Sequence, residues 1–139
     1  MGTMLDFSER IYRIALKVAE SLEPGYEEVL YKRAMAIELR KQGINFMVEY
    51  PLSVYYDEER IGNYFADIFI DDEYQMILEL KAVEALAPRF SVQLVNYLTA
   101  TKVEYGAIIN FGTYPLQYVP RTRKYNKYWR PLKSHGIKR

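Results

Sequence analysis

An α/β fold, a mixed β-sheet flanked by helices, follows from three observations. Two stretches near the start of the chain and one after Pro88 carry apolar residues at helical spacing. Between and after them lie runs rich in aromatic and β-branched residues, punctuated by Gly, Pro and acidic turns. The order is helix, helix, strand, strand, strand, helix, strand, strand, so the last helix can act as a crossover that sets the following strand parallel to a central one. With 139 residues there is room for one core and not two. The expected division is a domain over residues 1–119 and a basic, aromatic tail over residues 120–139.

Phe7 to Leu22 repeats apolar residues at Ile11, Ile14, Ala15, Val18, Ala19 and Leu22, an amphipathic helix. Glu23-Pro24-Gly25 interrupts it. Tyr26 to Gln42 is the second helix, with Leu30, Ala34 and Ile37 as its expected inward stripe and Gly43 as its stop. Glu28 and Tyr31, three apart, fall on one side of it. Ile44 to Tyr56 contains Pro51, which cannot donate to a ladder, so this run reads as an edge strand. After the polar turn Asp57–Arg60, Ile61 to Ile70 and Tyr74 to Lys81 form a hairpin around Asp71-Asp72-Glu73. Pro88 opens a helix to about Thr101 that sets Gln93 and Tyr97 one turn apart on one face. Tyr105 to Phe111 suits a buried strand, and Leu116 to Val119 a short last one.

The hairpin carries the chemistry. Side chains alternate along a strand, so Met76, Leu78 and Leu80 share one face while Ile77, Glu79 and Lys81 share the other. A register that closes Asp71 against Gln75 sets Asp67 opposite Glu79, with their Cβ atoms ~5 Å apart. Two carboxylates that close repel unless a cation lies between them, and Lys81 adds a positive charge on the same face. This pattern points to a magnesium site with a lysine beside it. A Glu-x-Lys tripeptide alone equally describes the solvated end of an edge strand. Its position distinguishes the two, because Met76 to Leu80 reads as a central strand, and charges on a strand covered on both faces need a reason.

Composition removes other chemistries. The chain has no cysteine, which excludes disulfides, zinc–thiolate sites, iron–sulfur clusters and a thiol nucleophile. One histidine, His135, argues against a histidine-based hydrolase triad or a polyhistidine metal site. No apolar run is long enough to span a membrane or to form a signal-peptide core, so a cytoplasmic setting is expected. Charge is segregated. All 18 acidic residues and 11 of the 19 basic ones lie in residues 1–104, a net −7, whereas the rest of the chain holds 8 basic residues and no acid, a net +8. A basic tail on an acidic body suits a polyanionic partner.

Taken together, these motifs resemble a known family. Gly25-Tyr-Glu-Glu28-Val-Leu-Tyr31 fits the Gly-x-x-Glu-x-x-Tyr pattern of the GxxExxY proteins, which are similar to the PD-(D/E)XK nuclease superfamily. Asp67, Glu79-Leu80-Lys81 and Gln93-x-x-x-Tyr97 match successive motifs of its RecB-like members. The resemblance runs from about Phe7 to Tyr118. It implies a restriction-endonuclease-like core and a nuclease that uses Mg2+ or Mn2+ on DNA. Asp67 and Glu79 would then bind metal with the Leu80 carbonyl as a third ligand, and Lys81 would orient or activate the attacking water. Glu28 would add a ligand or anchor water at the same site, while Gln93 and Tyr97 would contact that water or a phosphate. Ala66 stands where the pattern has proline.

Plainer readings stand beside these roles. Glu28 on a helix is by default a solvated residue, and Tyr31 and Tyr97 read as packing residues whose hydroxyls find a partner. The alternative for the whole chain is a non-catalytic module that keeps the fold and binds nucleic acid or protein. In the tail, Arg121, Arg123, Lys124, Lys127, Arg130 and Lys133 are the expected phosphate contacts, and Trp129 the expected stacking residue on a base. Homodimerisation is left open.

Overall fold

A computed structural model describes residues 2–124. The elements come in the expected order: α1 Met4–Ser21, α2 Glu28–Lys41, β1 Phe46–Tyr56, β2 Glu59–Asp71, β3 Gln75–Lys81, α3 Pro88–Thr101, β4 Tyr105–Asn110 and β5 Gln117–Thr122. α1 begins three residues before the expected Phe7 because a capping box starts it. Thr3 accepts the Asp6 N–H at 3.1 Å, and the Asp6 carboxylate accepts the Thr3 N–H at 3.1 Å. β5 runs on past Val119 to Thr122, so Pro120 and Arg121 belong to the sheet.

The stripe expected on α2 is corrected. Leu30 and Ile37 are 39% and 44% exposed, and the buried residues are Tyr31, Met35 and Leu39. The helix is turned by the anchoring of Tyr31, whose ring stacks on Phe111 at 4.6 Å and whose hydroxyl donates to the Glu23 carbonyl at 2.7 Å. A fully buried tyrosine with its hydroxyl satisfied outweighs two aliphatic side chains left at the surface. The structure thus makes Tyr31 the packing residue its plainer reading describes.

The sheet has the order β1-β2-β3-β4-β5, with β3 in the centre. β3 and β4 pair in parallel from Met76↔Tyr105 to Lys81↔Asn110, and the other pairs are antiparallel. One face packs against α1 and α2, where Ile11, Ile14, Met35 and Leu39 meet Ile68, Ile70, Met76, Leu78 and Leu80. The other packs against α3, where Leu94 and Leu98 meet Phe69, Ile77 and Ile108. Each such side chain, fully buried, contributes ~1.5–3 kcal/mol. At Gly106 a Cβ would lie 2.9 Å from the Ile77 carbonyl and 3.2 Å from both Leu94 and Leu98, so α3 can sit close only because that side chain is missing.

Candidate functional site

The β2–β3 ladder closes Asp71 against Gln75, as expected, and ends at Ile68↔Leu78. Past that point β2 leaves β3 and continues with β1 alone. Strand alternation breaks at the departure. Ile68 and Ile70 belong to the α1–α2 side, yet Ala66 and Phe69, three residues apart, both belong to the α3 side, with Tyr64 packed against that cluster. The neighbouring strand shows the same break, for the β1–β2 ladder skips the Glu49 and Asp67 positions and Glu49 has φ 47°.

This inversion sets Asp67 at the mouth of a gap between β2 and β3. Its Oδ2 accepts the Leu80 N–H at 2.9 Å, a donor that an unbroken β2 backbone would have taken. Within a strand the N–H and C=O of one residue point to the same edge, so the Leu80 carbonyl faces this gap as well. The Lys81 carbonyl turns the other way and accepts the Phe111 N–H from beyond β4 at 2.8 Å.

On the α3 face, Tyr64, Glu79, Lys81, Phe90, Gln93, Leu94, Tyr97 and Ile108 line a cavity of about 60 Å³. The Tyr64 hydroxyl donates to Glu79 Oε2. The Tyr64 ring stacks on Tyr97 with centroids 3.9 Å apart and planes at 20°. Lys81 Nζ sits 4.4 Å from the centre of the Phe90 ring, a cation–π contact that holds the ammonium on the cavity wall. Burial pushes the Glu79 carboxyl up to about 7, and the Asp67 charge pushes the same way, against the Tyr64 hydrogen bond and the Lys81 charge. Burial, then the Glu79 charge, raises the Tyr64 hydroxyl as well.

Asp67, the Leu80 backbone, Glu79, Lys81, Gln93 and Tyr97 therefore come together around one gap and its cavity. Glu28 does not join them. It is exposed on the first residue of α2, and among the described residues no three acidic or histidine side chains gather into a metal-holding cluster. The donors present still suit a hard divalent cation, since Mg2+ is commonly held by one or two carboxylates and completes its shell with water and substrate phosphate. The mutual charge of Asp67 and Glu79 is what such a cation would offset.

A model of the PD-(D/E)XK nuclease superfamily matches residues 5–122. The chain belongs to that superfamily. Its mixed five-stranded sheet with three helices is the restriction-endonuclease-like architecture of PD-(D/E)XK proteins. A crystal structure of SSO0001 is similar at 12% identity, covering 91% of this chain and 81% of that one, with a TM-score of 0.47. No curated protein matches the sequence. No helix among the described residues is long and apolar enough to cross a membrane.

Phe90 and Tyr64, which line the same cavity as Glu79 and Lys81, were not expected from the sequence. Phe90 lies three and seven residues before Gln93 and Tyr97, a helical spacing that could have revealed it. Tyr64 could not be found so, because regular alternation sets it on the face opposite Asp67. Of the expected phosphate contacts, Arg121 is exposed on β5, and Lys124 is exposed with Nζ bonded to Asn96 Oδ1 at 2.8 Å. Arg123 is 8% exposed, and its guanidinium donates to the Lys124 carbonyl at 2.8 Å. Lys127, Trp129, Arg130 and Lys133 lie outside the described residues.

Proposed function

We propose that the chain is a metal-dependent nuclease that hydrolyses phosphodiester bonds of DNA, with Mg2+ or Mn2+ as cofactor. The observation that carries this reading is the gap at the end of the β2–β3 ladder, where Asp67 bonds the Leu80 N–H while Glu79 and Lys81 enter the adjoining cavity together. Asp67 and Glu79 would hold the cation, and the Leu80 carbonyl, on the strand edge that faces the same gap, would be a third donor. Once bound, the cation supplies electrophilic polarisation of a phosphoryl oxygen and of water. Lys81, kept on the cavity wall by Phe90, orients the attacking water and offsets the charge that develops on the phosphate. Gln93 on α3 offers an amide to the same water or to a phosphate oxygen. Tyr97 acts through its stack on Tyr64, which fixes the cavity wall. The Gly25 to Tyr31 motif supports a finer reading as a GxxExxY protein, with Tyr31 in a packing role.

The test is cleavage of single-stranded and duplex DNA with Mg2+ or with a chelator. Cleavage should need the metal and be lost in Lys81→Ala while the melting temperature holds. Equal cleavage by Lys81→Ala would remove this reading, and binding of DNA or RNA without metal-stimulated cleavage would leave a non-catalytic binding module in its place.

A further inference from the structure

We infer that Tyr64 is a positioning residue for Glu79, fixing through its hydroxyl which carboxylate oxygen the metal receives. The inference rests on the reading of Glu79 as a metal ligand. Tyr64 reaches the site only because β2 inverts its faces beside Asp67, where the β1–β2 ladder skips a pair and Glu49 takes φ 47°. That inversion gives one short stretch of chain both Asp67, turned into the gap, and Tyr64, turned onto Glu79. The tyrosine is held from two sides. Its ring lies flat on Tyr97 at 3.9 Å, and its hydroxyl donates to Glu79 Oε2, so the phenol cannot swing away without giving up both contacts.

A carboxylate on a strand turns freely about its last torsion unless something fixes it. With Oε2 engaged by the Tyr64 hydroxyl, Oε1 would be the oxygen left for a cation. Loss of a hydrogen-bond partner that orients a ligating side chain typically costs 10- to 100-fold in metal affinity or activity. Glu79 has that partner in Tyr64 on β2.

The test is calorimetric titration of Mn2+ into the wild type, Tyr64→Phe, Tyr64→Ala and Glu79→Gln, with metal-free melting curves for each. Tyr64→Phe keeps the ring and its stack and removes only the hydroxyl, so it should melt close to the wild type yet bind Mn2+ ~10-fold or more weakly. Tyr64→Ala should lose melting temperature as well. Wild-type affinity in Tyr64→Phe, or tighter binding, together with weakened binding in Glu79→Gln, would overturn the inference and leave Glu79 as a ligand. Weak binding in Tyr64→Phe with a melting loss as large as that of Tyr64→Ala would also overturn it, because the ring would then act through packing. Undiminished binding in Glu79→Gln, or none in the wild type, would instead sink the reading of Glu79 beneath it.

Discussion

Glu79 is held where its own charge is costly. Its carboxyl is pushed from 4.5 to about 7, first by burial and then by Asp67. A raised folded value means that the folded state binds this proton more tightly than the unfolded chain. The associated stability is therefore fully present below pH 4.5 and lost as pH rises through 7. At ~1.4 kcal/mol per unit, the loss is about 3 kcal/mol at most. The metal-free protein should accordingly melt higher at pH 5 than at pH 8, and Glu79→Gln, which cannot ionise, should flatten that difference. Matched melting curves check it; an unchanged pH dependence in Glu79→Gln would show that another group causes it. If Glu79 ligates the cation, binding displaces the same proton, so Mn2+ affinity should climb with pH below about 7, by roughly tenfold per unit where one proton is released, and level off above. Calorimetry in buffers of different ionisation enthalpy counts that proton.

At the scale of elements, the site depends on how the chain is held just after Lys81. The Asn110 amide at the end of β4 makes four bonds there. Its Oδ1 accepts from the Val83 and Gly112 N–H groups at 3.0 Å each, and its Nδ2 donates to the Val83 carbonyl at 3.0 Å and to Gln117 Oε1 at 2.8 Å. Gly112 presses on the same segment so closely that a Cβ would lie 2.3 Å from both the Val83 nitrogen and its oxygen. Asn110→Ala should destabilise by about 1–3 kcal/mol for each buried partner left without water. Gly112→Ala should cost about 1–3 kcal/mol by overpacking, and because it moves the residues after Lys81 it should lower DNA cleavage beyond what its melting loss explains. Denaturant unfolding and cleavage rates measured side by side would check both. Neither residue stood out in the sequence, since an Asn and a Gly after an apolar run look like any strand end. What was legible there was the periodic part: three helices, five strands, the Asp71 closure and the sharing of one face by Glu79 and Lys81. What was not legible came from contacts between distant segments. The Tyr31–Phe111 stack turned α2 away from its apparent stripe, and the face inversion at Asp67 hid Tyr64.

Over the whole molecule, charge and fold divide the labour. The superfamily match ends at residue 122, and the net +8 of residues 105–139 lies largely past that point. An acidic body repels a phosphate backbone, so affinity for DNA is expected to come from the basic end. With Arg123 buried, five of the six expected contacts stay in the count: Arg121, Lys124, Lys127, Arg130 and Lys133. If all five meet phosphates, log affinity should fall against log salt with a slope of roughly −3.5 for single strands to −4.5 for duplex. Removing residues 125–139 should flatten that slope without changing Mn2+ affinity; an unchanged slope would assign the tail another task. Under the proposed function, Asp67 and Glu79 form one cation site at the open end of the β2–β3 ladder. A crystal soaked in Mn2+ and measured for anomalous scattering tests it most directly. A peak is expected ~2 Å from one carboxylate oxygen of each residue. An anomalous map with no peak between Asp67 and Glu79, or with manganese bound elsewhere in their place, would contradict it.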